Sequence, residues 1–269
     1  MDQIPPLSEL NLRSFGQTLA RLDHYIQARF RSRFGRLVER LARYIPPQGV
    51  IFDVGANHGK FTRNFARIHH GSCHVFAFEP LDYNYSLLRS VVKSRRNVST
   101  YRIALSDQGG TAYFYVPVRP SGRISPGSAH LGDELHADAF GTSTARQMRK
   151  TTVATETLDA FVASRGIRRV DFIKLDVQGA ESLVLRGGID TLRAHRPAMW
   201  CELSRSCPEC LGLTVEHTID LLASLGYTLN TLDERTGACR TTEFSDAIRD
   251  YLILHPSNTH TFGMVLRAT

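Results

Sequence analysis

The chain has 269 residues, of which 42% are hydrophobic and 22% charged, and it carries a formal net charge of +7 at pH 7. These figures are typical of a globular protein that buries a core, and no run approaches the roughly 18 apolar residues of a membrane-spanning helix. Five irregularly spaced cysteines do not indicate a disulfide framework, and residues 1–10 lack the apolar core of a secretory signal, so we expect a cytoplasmic protein.

An amphipathic stripe comes first along the chain. Apolar residues recur at steps of three and four, the spacing of one helix face, at Leu19, Leu22, Ile26, Phe30, Phe34, Leu37 and Leu41. The pattern ends at Ile45, because a residue that precedes proline is pushed out of the helical region. We therefore predict an N-terminal helical extension over residues 1–47, either one helix or a pair interrupted near Gly35.

The same extension is strongly basic. Between residues 29 and 43 six arginines stand against one acid, Glu39: Arg29, Arg31, Arg33, Arg36, Arg40 and Arg43. Such a run is either a solvated helix face or a docking surface for an acidic partner, such as a carrier protein, a nucleic acid or an anionic membrane. Both interpretations stay open at this point.

From residue 48 onward, short apolar runs alternate with helical stretches. Helices are predicted from Gly59, Asp82, Ala180 and Val215, and buried parallel strands over 50–54, 74–79, 98–103, 170–175 and 198–203. The alternation predicts an α/β domain over 48–269 with a doubly wound, mostly parallel sheet. Runs at 227–231 and 261–267 predict an antiparallel finish. One segment, 117–150, is rich in Pro and Gly and poor in apolar residues, which indicates a long functional loop.

The first motif is the run DVGANHG at 53–59, which ends a strand and opens a helix. Gly55 and Gly59 let the backbone turn tightly and approach a ligand, and the N–H groups that open the helix face that ligand. A dinucleotide site would place a further glycine near Asn57 to make room for a pyrophosphate. The motif therefore favours a nucleoside ligand without a pyrophosphate and counts against a nicotinamide-dependent oxidoreductase.

Two further motifs follow the next strands. Glu79 lies twenty residues after Gly59, where an acid can accept hydrogen bonds from both ribose hydroxyls, although a surface glutamate is the alternative. The run ALSD at 104–107 brings Ser106 and Asp107 to where an adenine edge would lie. Asp107 could equally be a turn residue.

The fourth motif is the run DFIKLDVQGAE at 171–181. Ligands of open α/β sheets bind beyond the carboxyl ends of the strands, so Lys174, Asp176 and Glu181 would converge on one pocket with Glu202 and could deprotonate a hydroxyl. The alternative is a Lys174–Glu181 ion pair with Asp176 as a helix cap. A divalent ion on Asp176 and Glu202, or zinc at the C-x-x-C run 207–210, is open, but no metal is predicted.

Taken together, these motifs resemble the FkbM family of S-adenosylmethionine-dependent methyltransferases. The family patterns D-V-G-A-N-x-G-x-x-T, E-P, L-S-D, T-L-D, K-x-D-V-E-G-x-E and L-x-G are met in order at 53–62, 79–80, 105–107, 157–159, 174–181 and 185–187. Asn84 also follows Glu79 at the expected distance. Gln178 departs from the family, which usually has glutamate at that position.

The resemblance implies a Rossmann-like class I methyltransferase that transfers a methyl group to a hydroxyl of a sugar, a glycolipid or a natural-product-type small molecule. Asp176 would be the base, with Lys174 or Glu181 orienting it. The loop 117–150 lies outside the resemblance, and its length and its Gly and Pro content predict that it covers the acceptor site. S-adenosylmethionine would be held by Asp53, Gly55, Asn57, Gly59, Glu79, Ser106 and Asp107.

Two other functions stay open from the sequence. The basic helix would suit an RNA or protein methyltransferase, but the chain shows no nucleic-acid-binding module and no aromatic-rich RNA platform. A homologue that binds the cofactor without transferring methyl groups is kept open by Gln178, since a missing carboxylate could remove the chemistry.

Overall fold

The computed structural model describes residues 15–30, 34–118, 130–131, 147–203 and 214–259. Its helices are α1 (Phe15–Phe30), α2 (Gly35–Leu41), α3 (Lys60–Phe65), α4 (Asp82–Val92), α5 (Leu158–Ser164), α6 (Glu181–Arg186), α7 (Ile189–His195), α8 (Val215–Ser224) and α9 (Pro256–Thr259). Among these helices, none is both long enough and apolar enough to cross a membrane.

The strands form two sheets. In chain order they are β1 (Val50–Val54), β2 (His74–Phe78), β3 (Val98–Tyr101), β4 (Ala104–Ser106), β5 (Gly110–Val118), β6 (His130–Leu131), β7 (Gln147–Thr157), β8 (Phe172–Leu175), β9 (Ala198–Glu202), β10 (Thr228–Leu232), β11 (Cys239–Thr241) and β12 (Asp250–Leu254). The main sheet has the order β11-β10-β12-β9-β8-β1-β2-β3, and the second sheet has the order β4-β7-β5-β6.

The main sheet confirms the predicted doubly wound, mostly parallel architecture. The strands β3, β2, β1, β8 and β9 are parallel neighbours, as predicted. The finish is antiparallel, but the strand beside β9 is β12, which was not predicted, and β12 then pairs with β10. The predicted run 261–267 lies outside the described residues.

Helices cover both faces of the main sheet because side chains alternate along each strand. On β1, Phe52 joins a core cluster with residues of α5, α6 and α8, while Ile51 joins a cluster with residues of α2 and α3. Both side chains are fully buried. This two-sided burial explains why the central strands are continuous apolar runs.

The N-terminal extension is a pair of helices, as one of the two alternatives predicted. On α2 the stripe is correct, since Leu37 and Leu41 are buried. On α1 it fails at Leu22, which is 53% exposed, while Tyr25 and Ala28 pack with residues of α4. Helix α1 packs mainly against α4 and helix α2 against α3, so the two helices bury differently directed faces.

Two arginines of the basic run are used within the molecule. Arg40 donates hydrogen bonds to the backbone carbonyls of Glu234 and Arg235, and Arg43 donates to that of Thr236. These bonds fasten α2 and the turn after it to the loop between β10 and β11. The acidic partner of this run stays a prediction.

The segment predicted as a long loop begins and ends in strands. Residues 117–118 belong to β5 and 147–150 to β7, and these two strands pair antiparallel over nine positions. Residues 130–131 form β6, which pairs with β5. The predicted boundaries of the loop are therefore corrected at both ends. The rest of 117–150 lies outside the described residues.

Candidate functional site

A pocket opens beyond the carboxyl ends of β1, β2, β4 and β8 and holds about 780 Å³ of empty space, including its open mouth. It lies where the strand order changes direction between β1 and β8, the place where ligands bind in open α/β sheets. Phe114 of β5 reaches its wall, so the second sheet contributes to the site.

The turn between β1 and α3 requires its glycine at position 55. Gly55 has a φ of +74°, and a Cβ there would lie 1.9 Å from the backbone oxygen of Asp176. Gly59, with a φ of +79°, is the N-cap of α3. Between them, Asn57 lines the pocket, and its buried Oδ1 has no hydrogen-bond partner in the described part of the protein. The turn therefore holds a buried acceptor that no described group satisfies.

Glu79 is held by three donors at the end of β2. Its Oε2 accepts the backbone N–H of Asn57 at 2.9 Å, and its Oε1 accepts the N–H of Leu81 at 3.0 Å and the side-chain amide of Asn84 at 3.3 Å. The residue is only 4% exposed and lines the pocket. Burial raises the pKa of Glu79 to about 7, against the lowering effect of its hydrogen bonds.

The ammonium of Lys174 contacts both the first motif, at 53–59, and the fourth, at 171–181. This buried ammonium donates to the carbonyl oxygen of Gly55 at 2.8 Å and lies 3.3 Å from Asp176 and 3.7 Å from Asp53. Burial alone would lower the pKa of Lys174, but the two carboxylates outweigh it and raise the pKa. Asp53 also accepts a hydrogen bond from Thr62 at 2.5 Å. Neither Lys174 nor Asp53 lines the pocket; through Lys174 they bind Gly55 and Asp176, which do line it.

Asp176 faces the pocket within a group of polar side chains. Its side chain is 35% exposed, and its Oδ1 accepts the amide of Gln178 at 2.9 Å. The same amide nitrogen lies 3.5 Å from Oε2 of Glu202, whose other oxygen is paired with Arg249. Burial would raise the pKa of Asp176, but Lys174 and these hydrogen bonds outweigh it and lower the pKa.

Glu202 lies in the same group of polar side chains, but its pKa is raised where that of Asp176 is lowered. Burial, and then the neighbouring charge of Asp176, raise the pKa of Glu202 to about 8, although Arg249 opposes the shift. Two carboxyls in contact do not ionise together as readily as one, so the first proton lost leaves Asp176 charged and Glu202 neutral. Asp176 is therefore the acceptor of this pair at neutral pH.

Glu181 lies apart from the pocket lining. It is 7% exposed, and its two oxygens accept the backbone N–H groups of Val177 and Gly179, each at 3.0 Å. The alternative ion pair of Lys174 with Glu181 is wrong, since Lys174 pairs with Asp53 and Asp176. The helix cap by Asp176 is also wrong, because α6 has no side-chain cap at its first turn. Glu181 shapes the loop that carries Asp176.

Ser106 and Asp107, predicted to contact the cofactor, do not line the pocket, whereas Ala104 and Leu105 do. A Cβ at Gly187 would lie 2.0 Å from the backbone oxygen of Ser106, so the L-S-D and L-x-G motifs meet backbone to backbone. Asp107 lies 3.8 Å from Arg186. Both residues therefore support the wall from behind.

This contact gives a stability prediction. Gly187→Ala should lower the free energy of unfolding by about 1–3 kcal/mol, because the added methyl group cannot fit against the Ser106 carbonyl without a backbone shift. Gly109→Ala is the matched control, since its nearest neighbour would be the Thr155 oxygen at 3.8 Å. Urea unfolding of both variants decides it, and equal stabilities would show that the two motifs do not meet as described.

No group of three or more His, Cys, Asp or Glu side chains in the described ranges is arranged to hold a metal ion. Asp176 and Glu202 are two carboxylates joined through the Gln178 amide, whose nitrogen is a hydrogen-bond donor and not a metal ligand. The C-x-x-C run at 207–210 lies outside the described residues.

The structure thus brings Gly55, Asn57, Glu79 and Asp176 to one pocket. Sequence reasoning missed Phe114, although the alternating run TAYFYV at 111–116 is a strand signal that could have been followed to it. It also missed Arg249, which no local motif marks. It marked Gln178 only as a departure from the family, whereas the side-chain amide of this residue donates to Oδ1 of Asp176.

Comparison with known proteins shows to which family the chain is related. The 2-O-methyltransferase NoeI of Sinorhizobium fredii is 28% identical over 56% of this chain and 61% of its own length. The 31-O-demethyl-FK506 methyltransferase FkbM of Streptomyces tacrolimicus is 32% identical over 52% of this chain and 60% of its own length. The matched region thus spans about three fifths of these relatives.

Among solved structures, a Methyltransferase FkbM from Methylobacillus flagellatus aligns over 89% of this chain and 60% of its own, with 11% identity and a TM-score of 0.49. The family described as "Methyltransferase FkbM domain" matches residues 53–229. That match contains the β1–α3 turn, Glu79, Asp176 and Glu202, and it covers more than half of the sequence. The chain belongs to the FkbM methyltransferase family.

Proposed function

We propose that this protein is an S-adenosylmethionine-dependent O-methyltransferase that acts on a hydroxyl of a small molecule, such as a sugar, a glycolipid or a natural-product-type compound. The observation that carries the proposal is the placement of Glu79 and Asp176 on the lining of one pocket, at the ends of strands on either side of β1. Glu79 would accept a hydrogen bond from the nucleoside, and Asp176 would accept the proton of the acceptor hydroxyl. Family membership and the two O-methyltransferase names among the relatives support it.

The pocket residues fit the cofactor. Glu79 would accept a hydrogen bond from the ribose in addition to its three protein donors, since an ionised carboxylate offers about four acceptor positions. Asn57 offers a buried Oδ1 that lacks a partner among the described residues. Gly55 lines the pocket without a side chain, which lets the cofactor approach the backbone closely. Phe114 and Leu105 give the same pocket apolar wall for a purine.

S-adenosylmethionine supplies an electrophilic methyl group on a sulfonium sulfur. The chain's own contribution is to align the acceptor hydroxyl and to take its proton, and alignment alone is worth on the order of 7–11 kcal/mol in favourable cases. Asp176 is held ionised by Lys174 and Gln178, so it can accept the hydroxyl hydrogen bond and then the proton as the O–CH₃ bond forms. Its partial exposure lets that proton pass to water.

The acceptor would enter from the side of Asp176, Gln178 and Arg249. We propose that the segment 117–150 lies at the acceptor site, since β5, which leads into this segment, brings Phe114 to the pocket. We also propose a reducing, cytoplasmic location, which the buried free thiols of Cys73 and Cys201 support.

The direct test of this function is a screen for methyl transfer. The protein is incubated with S-adenosylmethionine and a panel of sugars, glycolipids and hydroxylated metabolites, and products are followed by mass spectrometry. We expect a single methyl shift on at least one hydroxyl compound, absent when Asp176→Asn replaces the native protein. Methylation of RNA or protein in parallel incubations, with none on small molecules, would contradict the proposal.

Cofactor affinity should depend on pH through Glu79. Its pKa is raised from the ordinary value to about 7, so the free protein holds it mostly neutral at pH 6 and mostly ionised at pH 8. If only the ionised form receives the ribose hydroxyls, the dissociation constant of S-adenosylhomocysteine should be about tenfold weaker at pH 6 than at pH 8. Calorimetry at both pH values measures this difference.

The matched control is Glu79→Gln, which keeps the side-chain size and removes the titration. Its affinity should be weak and flat between pH 6 and pH 8, even though Glu181 and Glu202 still titrate near this range. A native protein whose affinity does not change with pH, or a variant that keeps the full pH dependence, would assign the titration to another group.

A further inference from the structure

His58 occupies the variable position of the family pattern D-V-G-A-N-x-G, and it is buried beside the cofactor pocket. Its ring is 8% exposed, and its Nε2 lies 3.1 Å from Oδ1 of Asn84. Asn84, at 2% exposure, in turn donates its amide to Oε1 of Glu79. A continuous chain of hydrogen bonds therefore joins His58 to the carboxylate proposed to hold the ribose.

The donor and the acceptor of each of these two hydrogen bonds follow from the ionised state of Glu79. An ionised carboxylate only accepts, so Asn84 must turn its NH₂ group to Glu79 and its oxygen to His58. That oxygen only accepts, so His58 must carry its proton on Nε2. Burial, and then the neighbouring His24, lower the pKa of His58 to about 3, so the ring stays neutral and Nδ1 is bare.

The other face of His58 is covered by the N-terminal helix α1. The ring of His24 stacks on that of His58 with centroids 4.7 Å apart and an interplanar angle of 26°. Nδ1 of His24 lies 2.9 Å from the hydroxyl of Tyr83, which is on α4 one residue before Asn84. Helix α1 thus contacts both the ring and the helix turn that set the orientation of Asn84.

We propose that His58 is a positioning residue for cofactor binding, which fixes Asn84 and through it Glu79, and that helix α1 completes the site by holding His58 in place through His24. This inference rests on the proposed role of Glu79 in binding the nucleoside. It gives the N-terminal extension a function in the site, although α1 itself does not line the pocket.

The test is the affinity for S-adenosylhomocysteine, measured by calorimetry, because it needs no methyl acceptor. His58→Phe keeps an aromatic ring for His24 and removes the donor, so the dissociation constant should rise about threefold to tenfold, the effect of losing one ordering hydrogen bond. His58→Gln restores an N–H donor at a similar reach and should bind within about twofold of the native protein.

Two further variants complete the series. His74→Phe is the matched control, since His74 is a partly buried histidine on β2 that bonds to Ser99 instead of to the pocket. It should leave the affinity unchanged. His24→Ala should weaken binding in the same direction as His58→Phe. Native affinity in His58→Phe, no rescue by His58→Gln, or native affinity in His24→Ala would overturn the proposal.

A failure of the proposed function would look different, because the native protein would then not bind S-adenosylhomocysteine at all. If His58→Phe does not fold, ¹⁵N NMR of the histidine rings in the native protein still decides the matter. At pH 8, where Glu79 is mostly ionised, we expect a neutral His58 ring with its proton on Nε2. A proton on Nδ1 would break the chain to Glu79 and overturn the inference.

Discussion

Replacing Asp176 by asparagine is expected to reduce turnover about a hundredfold or more, because a positioned base contributes on that order. Cofactor affinity should change little, since Asp176 is on the far side of the pocket from Glu79. The asparagine keeps the size of the side chain and can still accept a hydrogen bond from Gln178. Turnover on the acceptor identified by mass spectrometry and the dissociation constant of S-adenosylhomocysteine are the two measurements.

The control for this experiment is Gln178→Glu, which restores the residue usual in the family. It leaves Asp176 in place but replaces a donor by a third carboxylate between Asp176 and Glu202, so we expect a change of only a few-fold in turnover, with the pH–rate profile moved upward. Near-normal turnover in Asp176→Asn would contradict the assignment of the base. Loss only when Mg²⁺ is supplied would instead make Asp176 a metal ligand.

Replacing Glu79 by alanine should weaken binding of S-adenosylhomocysteine about tenfold to a hundredfold, since hydrogen bonds to a charged acceptor contribute roughly 1.5–3 kcal/mol. The change also leaves the N–H groups of Asn57 and Leu81 without their acceptor, so some stability should be lost. Affinity is therefore measured below the unfolding transition, with the melting temperature recorded for each variant.

A surface glutamate provides the matched control. Glu156 is ion-paired with Arg165 away from the pocket, so Glu156→Ala should bind S-adenosylhomocysteine as the native protein does. If Glu79→Ala folds and retains native affinity, Glu79 does not contact the nucleoside and the ribose site lies elsewhere in the pocket.

The parallel half of the fold could be predicted from the sequence because its signals are local. The apolar runs that became β1, β2 and β8 are buried on both faces, and a glycine at position 55 of the β1–α3 turn is required by the close approach of the Asp176 backbone. Because the ends of parallel strands meet at one edge of the sheet, Glu79 and Asp176 could be placed together from their positions alone.

Other features depend on contacts distant in sequence. Strand β12 is short, and its place in the sheet is set by pairing with β9, which is distant in sequence. Arg249 likewise reaches Glu202 from a segment 47 residues further along the chain. The ends of 117–150 were predicted as loop because their pairing partners lie across that segment. Ser106 was assigned to the cofactor by its motif, and this role stays a prediction; its backbone contact with Gly187 could not be predicted, because no local pattern connects the two residues.

The most direct test is a calorimetric titration of the native protein with S-adenosylhomocysteine and, separately, with NAD⁺. The turn between β1 and α3 has Asn57 where a dinucleotide site would want a glycine, and Glu79, which we propose holds the ribose, lines the pocket. We predict binding of S-adenosylhomocysteine at one site per chain, weakened in Glu79→Gln, and no binding of NAD⁺. Binding of NAD⁺ with none of S-adenosylhomocysteine would contradict the assignment of this pocket to a methyl donor.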